Sequence, residues 1–464
     1  MHSDHGSGDI TPFRATAAFS IVETMNTRQL RGRGETLDEI ERLLLEQTIS
    51  PASQGSSRLD SRQRTLDLLN ALNSPQEEMR TIHVAGTAGK GSVCLFLTAL
   101  LCAHGFRAGT YTSPHVHSLL ERFQIDGKLA EPRRLAPVLR AVFAAAEEGD
   151  RELGGLTMFE AATAAAFEFF RHEDVDYAVI ETGIGGLRDA TNTVRRNDKL
   201  AVITAIGLDH TEVLGNTLAE IAAQKAGILP IGGMAVALDQ RSPEVLNALR
   251  AAARQRCCTL HLLAVGDCDE VLAEVFDRGE TVSGLQKVNM ALAIRAAQRL
   301  ADRDGWTLDP DRATAALLDV RLPGRFETRI WQGRQVVLDG AHNPLKVAFL
   351  VDAVGECWPD QRPVWVLAAK AGKSAEQMLH LLAPEAESVI ATEFSTYGRR
   401  AGRGSAIAAE DLAELAREAG GLSVYAEPSV AAALRRAVAC APPEAPVVVT
   451  GSFFTVADAA EVIG

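Results

Sequence analysis

Between the apolar run Thr81-Ile82-His83-Val84-Ala85 and the apolar run of residues 93–101 lies Gly86-Thr87-Ala88-Gly89-Lys90-Gly91-Ser92. No other stretch narrows so far what this chain can fold into. The pattern predicts a short buried strand, a glycine-rich turn, and a helix closed by Gly105. Glycines at a strand-to-helix junction let backbone N–H groups approach an anion, and the helix directs its positive end at the same point. Lys90 adds a point charge suited to β- and γ-phosphates, and the Ser92 hydroxyl is placed to reach a bound magnesium ion. The strict Walker spacing is not met, because Val84 stands five residues before Gly89 and Gly91 separates Lys90 from Ser92. A plain glycine turn has no need of the lysine and serine, so the reading is a phosphate cradle.

The 464 residues are too many for one core and predict two domains. A formal charge of −13 with 5% aromatic residues argues against nucleic acid as a partner, since phosphate-backbone binding needs clustered Lys and Arg. No apolar run reaches membrane-spanning length, and the N-terminal residues lack a basic stretch followed by an apolar one, which reads as a cytoplasmic protein without membrane contact. The seven cysteines are scattered; the adjacent Cys257-Cys258 has no CxxC spacing, so buried reduced thiols are expected rather than a zinc or redox site.

Residues 1–35 mix Gly, Ser, Asp, Arg and Thr and read as a mobile extension. Helical patterns follow from Thr36 and over residues 61–72, and the first domain is expected over residues 36–321. In an open α/β sheet, ligands gather at the carboxyl ends of strands. Three candidate side chains follow predicted strands in this way: Ser113 after 108–112, Glu181 after 175–180, and His210 after 200–206. Ser113 suits a metal, a phosphate or an ordinary Ser-Pro turn, and His210 suits a ligand or a structural role. Glu181, beside Gly183-Ile184-Gly185-Gly186, suits magnesium. Lys225, on a helix over 218–227, reads by periodicity as a surface residue. Pro323 and Gly324 break the pattern at an expected hinge, residues 322–327. Short apolar strands at 335–338, 364–367, 388–391, 422–424 and 447–450 then predict a smaller α/β domain over 328–464. Its first strand ends in Asp339-Gly340-Ala341-His342-Asn343-Pro344 and its last in Gly451-Ser452.

These segments together resemble the Mur ligase superfamily, and within it the dihydrofolate synthase/folylpolyglutamate synthase family. The resemblance rests on residues 83–92, Thr112-Ser113-Pro114-His115 with Glu121-Arg122-Phe123, Leu156-Thr157-Met158-Phe159-Glu160, and Glu181-Thr182-Gly183-Ile184-Gly185-Gly186 before Asp189-Ala190-Thr191-Asn192. It continues in Gly207-Leu208-Asp209-His210-Thr211, Gln224-Lys225-Ala226-Gly227-Ile228 and the Asp339–Pro344 turn, over about residues 58–464. It implies an N-terminal P-loop ATPase domain and a C-terminal Rossmann-like domain with the active site between them. It assigns Gly86, Thr87, Gly89, Lys90, Gly91 and Ser92 to ATP, with Asn289, Arg325 and Asp339 also contacting the nucleotide. Ser92, Glu181 and His210 are implied magnesium ligands, with Ser113 at a second ion. Lys225 is implied to react with carbon dioxide to form a carbamate, and His342 and Ser452 to face glutamate. Lys90, Lys225, Asp339 and His342 are thus the implied catalytic set.

The chemistry implied is acyl activation: a carboxylate attacks the γ-phosphate, and the amine of glutamate displaces phosphate from the acyl phosphate. The implied partners are ATP, a pterin-type acid and L-glutamate, acting on a monomer. The chain departs from the family pattern at Ala88, Leu187-Arg188, Leu285 and Gly372-Lys373-Ser374, which leaves open another acid or amino acid for the same chemistry. A small-molecule kinase would use the same cradle but gives no role to the Asp339–Pro344 turn. A silent binding protein would have no use for Lys90, Ser92, Glu181 and His210.

Overall fold

The computed structural model describes residues 34–48, 60–149, 155–276, 284–371, 374–395 and 406–464. The expected extension, residues 1–35, lies outside them except for Gly34 and Glu35, as do Gly372 and Lys373. Two sheets organise the described residues. The first has eight strands: β1 (Arg80–Ala85), β2 (Ala108–Tyr111), β3 (Phe123–Ile125), β4 (Lys128–Leu129), β5 (Tyr177–Glu181), β6 (Leu200–Ile203), β7 (Met234–Asp239) and β8 (Thr259–Ala264). Their spatial order is β4-β3-β2-β5-β1-β6-β7-β8. All neighbouring pairs are parallel except β2 with β3 and β3 with β4.

The second sheet has six: β9 (Glu327–Trp331), β10 (Arg334–Leu338), β11 (Val364–Leu367), β12 (Ser388–Thr392), β13 (Val424–Glu427) and β14 (Val447–Thr450). They run in the order β13-β12-β11-β14-β10-β9, and only β9 with β10 is antiparallel. The central strands read as continuous apolar runs because both faces are covered by helices. In β5, Tyr177 and Val179 enter one core and Ala178 and Ile180 another. In β14, Val448 faces one side while Val447 and Val449 face the other.

Seven helices matter for the cleft between the sheets: α1 (Ser61–Ala71), α2 (Lys90–Ala103), α3 (Met158–His172), α4 (Leu218–Lys225), α5 (Gly284–Asp304), α6 (Pro344–Cys357) and α7 (Phe453–Ile463). Helix α2 is almost wholly apolar and buried because α5 covers it, Phe96, Leu97 and Leu100 sharing a core with Leu292, Ala296 and Leu300. Strand β1 therefore delivers its glycine loop to the centre of the sheet edge, between β5 and β6. Residues 321–326 carry no regular element and connect the two sheets, Gly324 holding a φ of 62° and accepting the Gly340 N–H at 2.8 Å.

Three expectations need correction. Strand β9 was not foreseen; it pairs with β10 through the two-residue turn Gln332-Gly333, both at positive φ. Strand β13 begins at Val424, where 422–424 was expected, and Leu422 is 87% exposed. Of the cysteines, Cys94, Cys258 and Cys268 are buried, while Cys257 and Cys440 are exposed. Among the described residues, no helix is long and apolar enough to cross a membrane.

Candidate active site

The loop after β1 is held by the segment that follows β6 and by Lys225. Thr87 N–H donates to Ala205 O at 2.7 Å, the Thr87 hydroxyl donates to Gly207 O at 3.0 Å, and Lys225 Nζ donates to Gly86 O at 2.8 Å. Gly89 caps α2 at φ 89°, where a side chain would be strained, and a Cβ there would fall 2.0 Å from Asn289 Oδ1. The cap supplies no side-chain bond to the helix start, so its first N–H groups point outward as an anion site. Asn289, 1% exposed on α5, backs the loop without lining the cleft.

The parallel register sets Val84 beside Glu181, which brings a carboxylate to the cradle. Glu181 is 3% exposed; its Oε2 accepts the Ser113 N–H at 2.8 Å and its Oε1 lies 3.9 Å from Lys90 Nζ. Ser92 is 1% exposed in the first turn of α2. His210 adopts φ 50° at the start of a short helix, its ring 3.9 Å from Asp209 and 3.6 Å from Glu212. Among the described residues, no three His, Cys, Asp or Glu side chains form a group able to hold a metal by themselves. The structure thus joins Glu181 closely to Lys90 and Ser113, while His210 shares the cavity from its other neighbours. The Ser92 hydroxyl and the Glu181 carboxylate are oxygen donors of the kind a hard divalent ion takes, with phosphate oxygens and water to complete its shell.

Lys225, at the end of α4, is 4% exposed. The surface position read from periodicity is therefore corrected: the Gly183–Gly186 turn packs on the end of α4, where a Cβ on Gly186 would meet Lys225 O at 2.9 Å, and the side chain reaches inward to Gly86 O. Burial, with Lys90 nearby, pushes its amine down to about 7. Asp339 is likewise withdrawn from water, which raises its carboxyl to about 6 although Ala341 and Phe326 N–H groups each donate to it at 2.8 Å.

Residues from both sheets line one cavity of about 770 Å3. Gly86, Thr87, Gly89, Lys90, Gly91, Ser92, Ser113, Glu181, His210 and Lys225 contribute from the first, and Arg325, Asp339 and His342 from the 321–326 connection and the second. Arg325 crosses toward the cradle: a Cβ on Gly91 would lie 2.8 Å from its Nη2, and its guanidinium sits 5.2 Å from the Phe453 ring centre. Asn343 Nδ2 donates to Asp209 Oδ2 at 2.9 Å, a direct bond between the two walls. Ser452 does not line this cavity; it caps α7, its hydroxyl accepting the Phe454 N–H at 3.1 Å.

Several lining residues carry no site role in the sequence reading, although some stand in the segments it quotes. Asp189, buried, accepts the Ile184 N–H at 2.8 Å and the Thr191 N–H at 3.0 Å, and shapes the glycine turn after Glu181. Phe159 stands beside Gly183, where an added Cβ would fall 2.5 Å from its ring. Leu285, Phe349, Leu350 and Ala353 add apolar side chains to the lining. Asp209 adjoins His210 in the sequence and was open to notice; Lys346, on α6, carried no signal.

The sequence profile of the Mur ligase glutamate ligase domain matches residues 324–453. The dihydrofolate synthase/folylpolyglutamate synthase of Bacillus subtilis is 32% identical over 349 residues, 71% of this chain and 80% of that protein. Among solved structures, Mycobacterium tuberculosis folylpolyglutamate synthase complexed with ADP is 29% identical and superimposes with a TM-score of 0.78, covering 93% of this chain and 98% of the other. The bifunctional folylpolyglutamate synthase/dihydrofolate synthase of Yersinia pestis, complexed with AMPPNP and a Mn ion, is 26% identical with a TM-score of 0.72, covering 86% and 92%.

Proposed function

The chain belongs to the dihydrofolate synthase/folylpolyglutamate synthase family, and from that premise we propose that it joins L-glutamate to a pterin-type carboxylate at the expense of ATP. The acid is dihydropteroate, tetrahydrofolate or both. One observation carries this reading: the phosphate cradle of the first sheet and the Asp339–Pro344 turn of the second face a single cavity, so nucleotide and amino acid approach the acid from opposite walls.

The phosphates lie over the first turn of α2, where backbone N–H groups and Lys90 meet them, with Arg325 reaching in from the hinge. The apolar side chains of Leu285, Phe349 and Leu350 take the base, and the acid lies along Ser113, Pro114 and Phe159. A carboxylate oxygen of the acid then attacks the γ-phosphorus; the new O–P bond forms as the bond to ADP breaks. The glutamate amine attacks the acyl carbon, the C–N bond forms, phosphate leaves with one oxygen of the original carboxylate, and the nitrogen gives up a proton. The two walls keep water from the acyl phosphate, which hydrolyses when exposed. A divalent ion held by Ser92, Glu181 and His210, with a second near Ser113, would supply neutralisation of phosphate charge.

Lys225 takes a further part. An amine brought down to about 7 is neutral in a large fraction of molecules near neutral pH and adds carbon dioxide: the N–C bond forms, one proton leaves, and the neutral amine becomes an anionic carbamate. Relative to the ammonium form, that change relieves the repulsion from Lys90. The single chain is the working unit in this reading, since it supplies both walls.

The acyl phosphate is tested with heavy oxygen. Acid labelled in its carboxylate should deliver one labelled oxygen to each phosphate released. Unlabelled phosphate alongside labelled amide would overturn the intermediate.

A further inference from the structure

Lys346 stands at the third position of α6, its backbone N–H bonded to the Asn343 side chain at 3.0 Å, and its side chain lines the cavity. Its Nζ lies 3.1 Å from His342 Nε2. On the other side of the same ring, Nδ1 lies 2.8 Å from Gly340 O. A carbonyl only accepts and an ammonium only donates, so the two bonds together assign the tautomer. Nδ1 carries the proton and Nε2 receives from Lys346. The imidazole is thereby a strut between backbone and ammonium, and it fixes where the lysine's charge stands. The field of Lys346 also reaches both Lys225 and Asp339, lowering the proton affinity of each. Lys346 thus faces the cavity from the side of the second sheet, while Lys90 faces it from the first.

The chemistry of the second substrate asks for such a group. Glutamate brings two carboxylates and must present a neutral amine to the acyl carbon, in a cleft already crowded by phosphate and by Glu181, Asp209 and Asp339. Arg325 is turned toward Gly91 and Lys90 toward Glu181, both on the nucleotide side. On the reading that this chain is a glutamate ligase, we propose that Lys346 is a specificity-determining residue that receives a carboxylate of the incoming glutamate. His342 is the positioning residue that orients it. The ammonium distinguishes glutamate from its amides by charge, and the His342 strut holds it in place before the amino acid arrives.

The test uses the full-length enzyme and its Lys346→Ala, Lys346→Met and Lys346→Arg variants, with steady-state constants for ATP, acid and glutamate. Removing the charge should raise KM for glutamate about tenfold or more while KM for ATP stays within about twofold, the scale expected for a lost charge-assisted hydrogen bond. Lys346→Arg should recover part of the loss. Glutamine and the α-amide of glutamate identify the carboxylate: the wild-type preference for glutamate over one of them should collapse in Lys346→Met. Should Lys346→Ala not fold, Lys346→Met, with a stem of similar length, decides. An unchanged KM for glutamate, or a rise confined to ATP, overturns the proposal. Absence of glutamate-dependent ADP release by the wild type would instead overturn the ligase reading, so the two failures are distinct.

Discussion

Lys199 and Lys225 are both withdrawn from water and both pushed down to about 7 by burial. Only position separates their meaning. Lys199 precedes β6, faces Asn192 Oδ1 and Val194 O at 3.4 Å each, and takes no part in the cavity. Lys225 holds Gly86 O and lines the cleft. Lys225→Ala should therefore cut turnover by about 10²–10³-fold, the scale of removing one preorganised electrostatic group, with the circular dichroism spectrum unchanged. Stability gives an independent reading in buffer freed of carbon dioxide. The native amine releases its proton at about 7 and the unfolded one near the ordinary lysine value of about 10.5. Between these limits the unfolded state binds more protons, so stability rises with pH through that window. The unfolding free energy of wild type relative to Lys225→Met should shift in favour of wild type as pH rises from 7 toward 10. A flat difference would mean the amine is not buried neutral. Periodicity put Lys225 on a helix but could not see that the glycine turn Gly183–Gly186 covers that helix end. Burial of this kind is made by a loop distant in sequence.

At the scale of elements, α1 and α3 are joined by a buried ion pair. Arg64 Nε and Nη2 each lie 3.1 Å from one oxygen of Glu160, and Arg64 Nη2 also donates to Gly155 O. Glu160 closes the capping box of α3, its Oε2 accepting the Thr157 N–H at 2.8 Å. The pair therefore fixes the segment that carries Thr157 and Phe159 into the cleft. Arg64→Met leaves a buried carboxylate without its partner and should cost about 3–5 kcal/mol in urea unfolding. A loss below about 1 kcal/mol would rate the pair no higher than a surface bridge. The strand, glycine turn and helix over residues 80–103 were legible signals, since local chemistry alone decides them. So were the apolar runs that became β11 and β14. Strand β9 was not: its alternation of half-buried and exposed residues follows from an edge position in a sheet whose partners come later in the chain.

For the molecule as a whole, what matters is that two sheets with separate cores present their strand ends to one cavity. Each set of candidate residues was readable as the end of an apolar run. Their facing one another was carried only by resemblance, because no local pattern encodes how Asn343 reaches Asp209 across the cleft. Arg325 shows the consequence most clearly, being part of the 321–326 connection in sequence and a neighbour of the cradle in space. Such an arrangement is suited to holding three substrates in line, and the account stands on whether it does so. The most direct measurement follows ADP release by the purified protein with ATP and magnesium, with dihydropteroate, tetrahydrofolate or no acid, and with or without glutamate, identifying products by mass. The account predicts ADP release that needs both acid and glutamate, with one glutamyl residue added to the acid for each ADP formed. ADP formation that proceeds without glutamate while a stable phosphorylated acid accumulates, or no turnover with either acid, would contradict it.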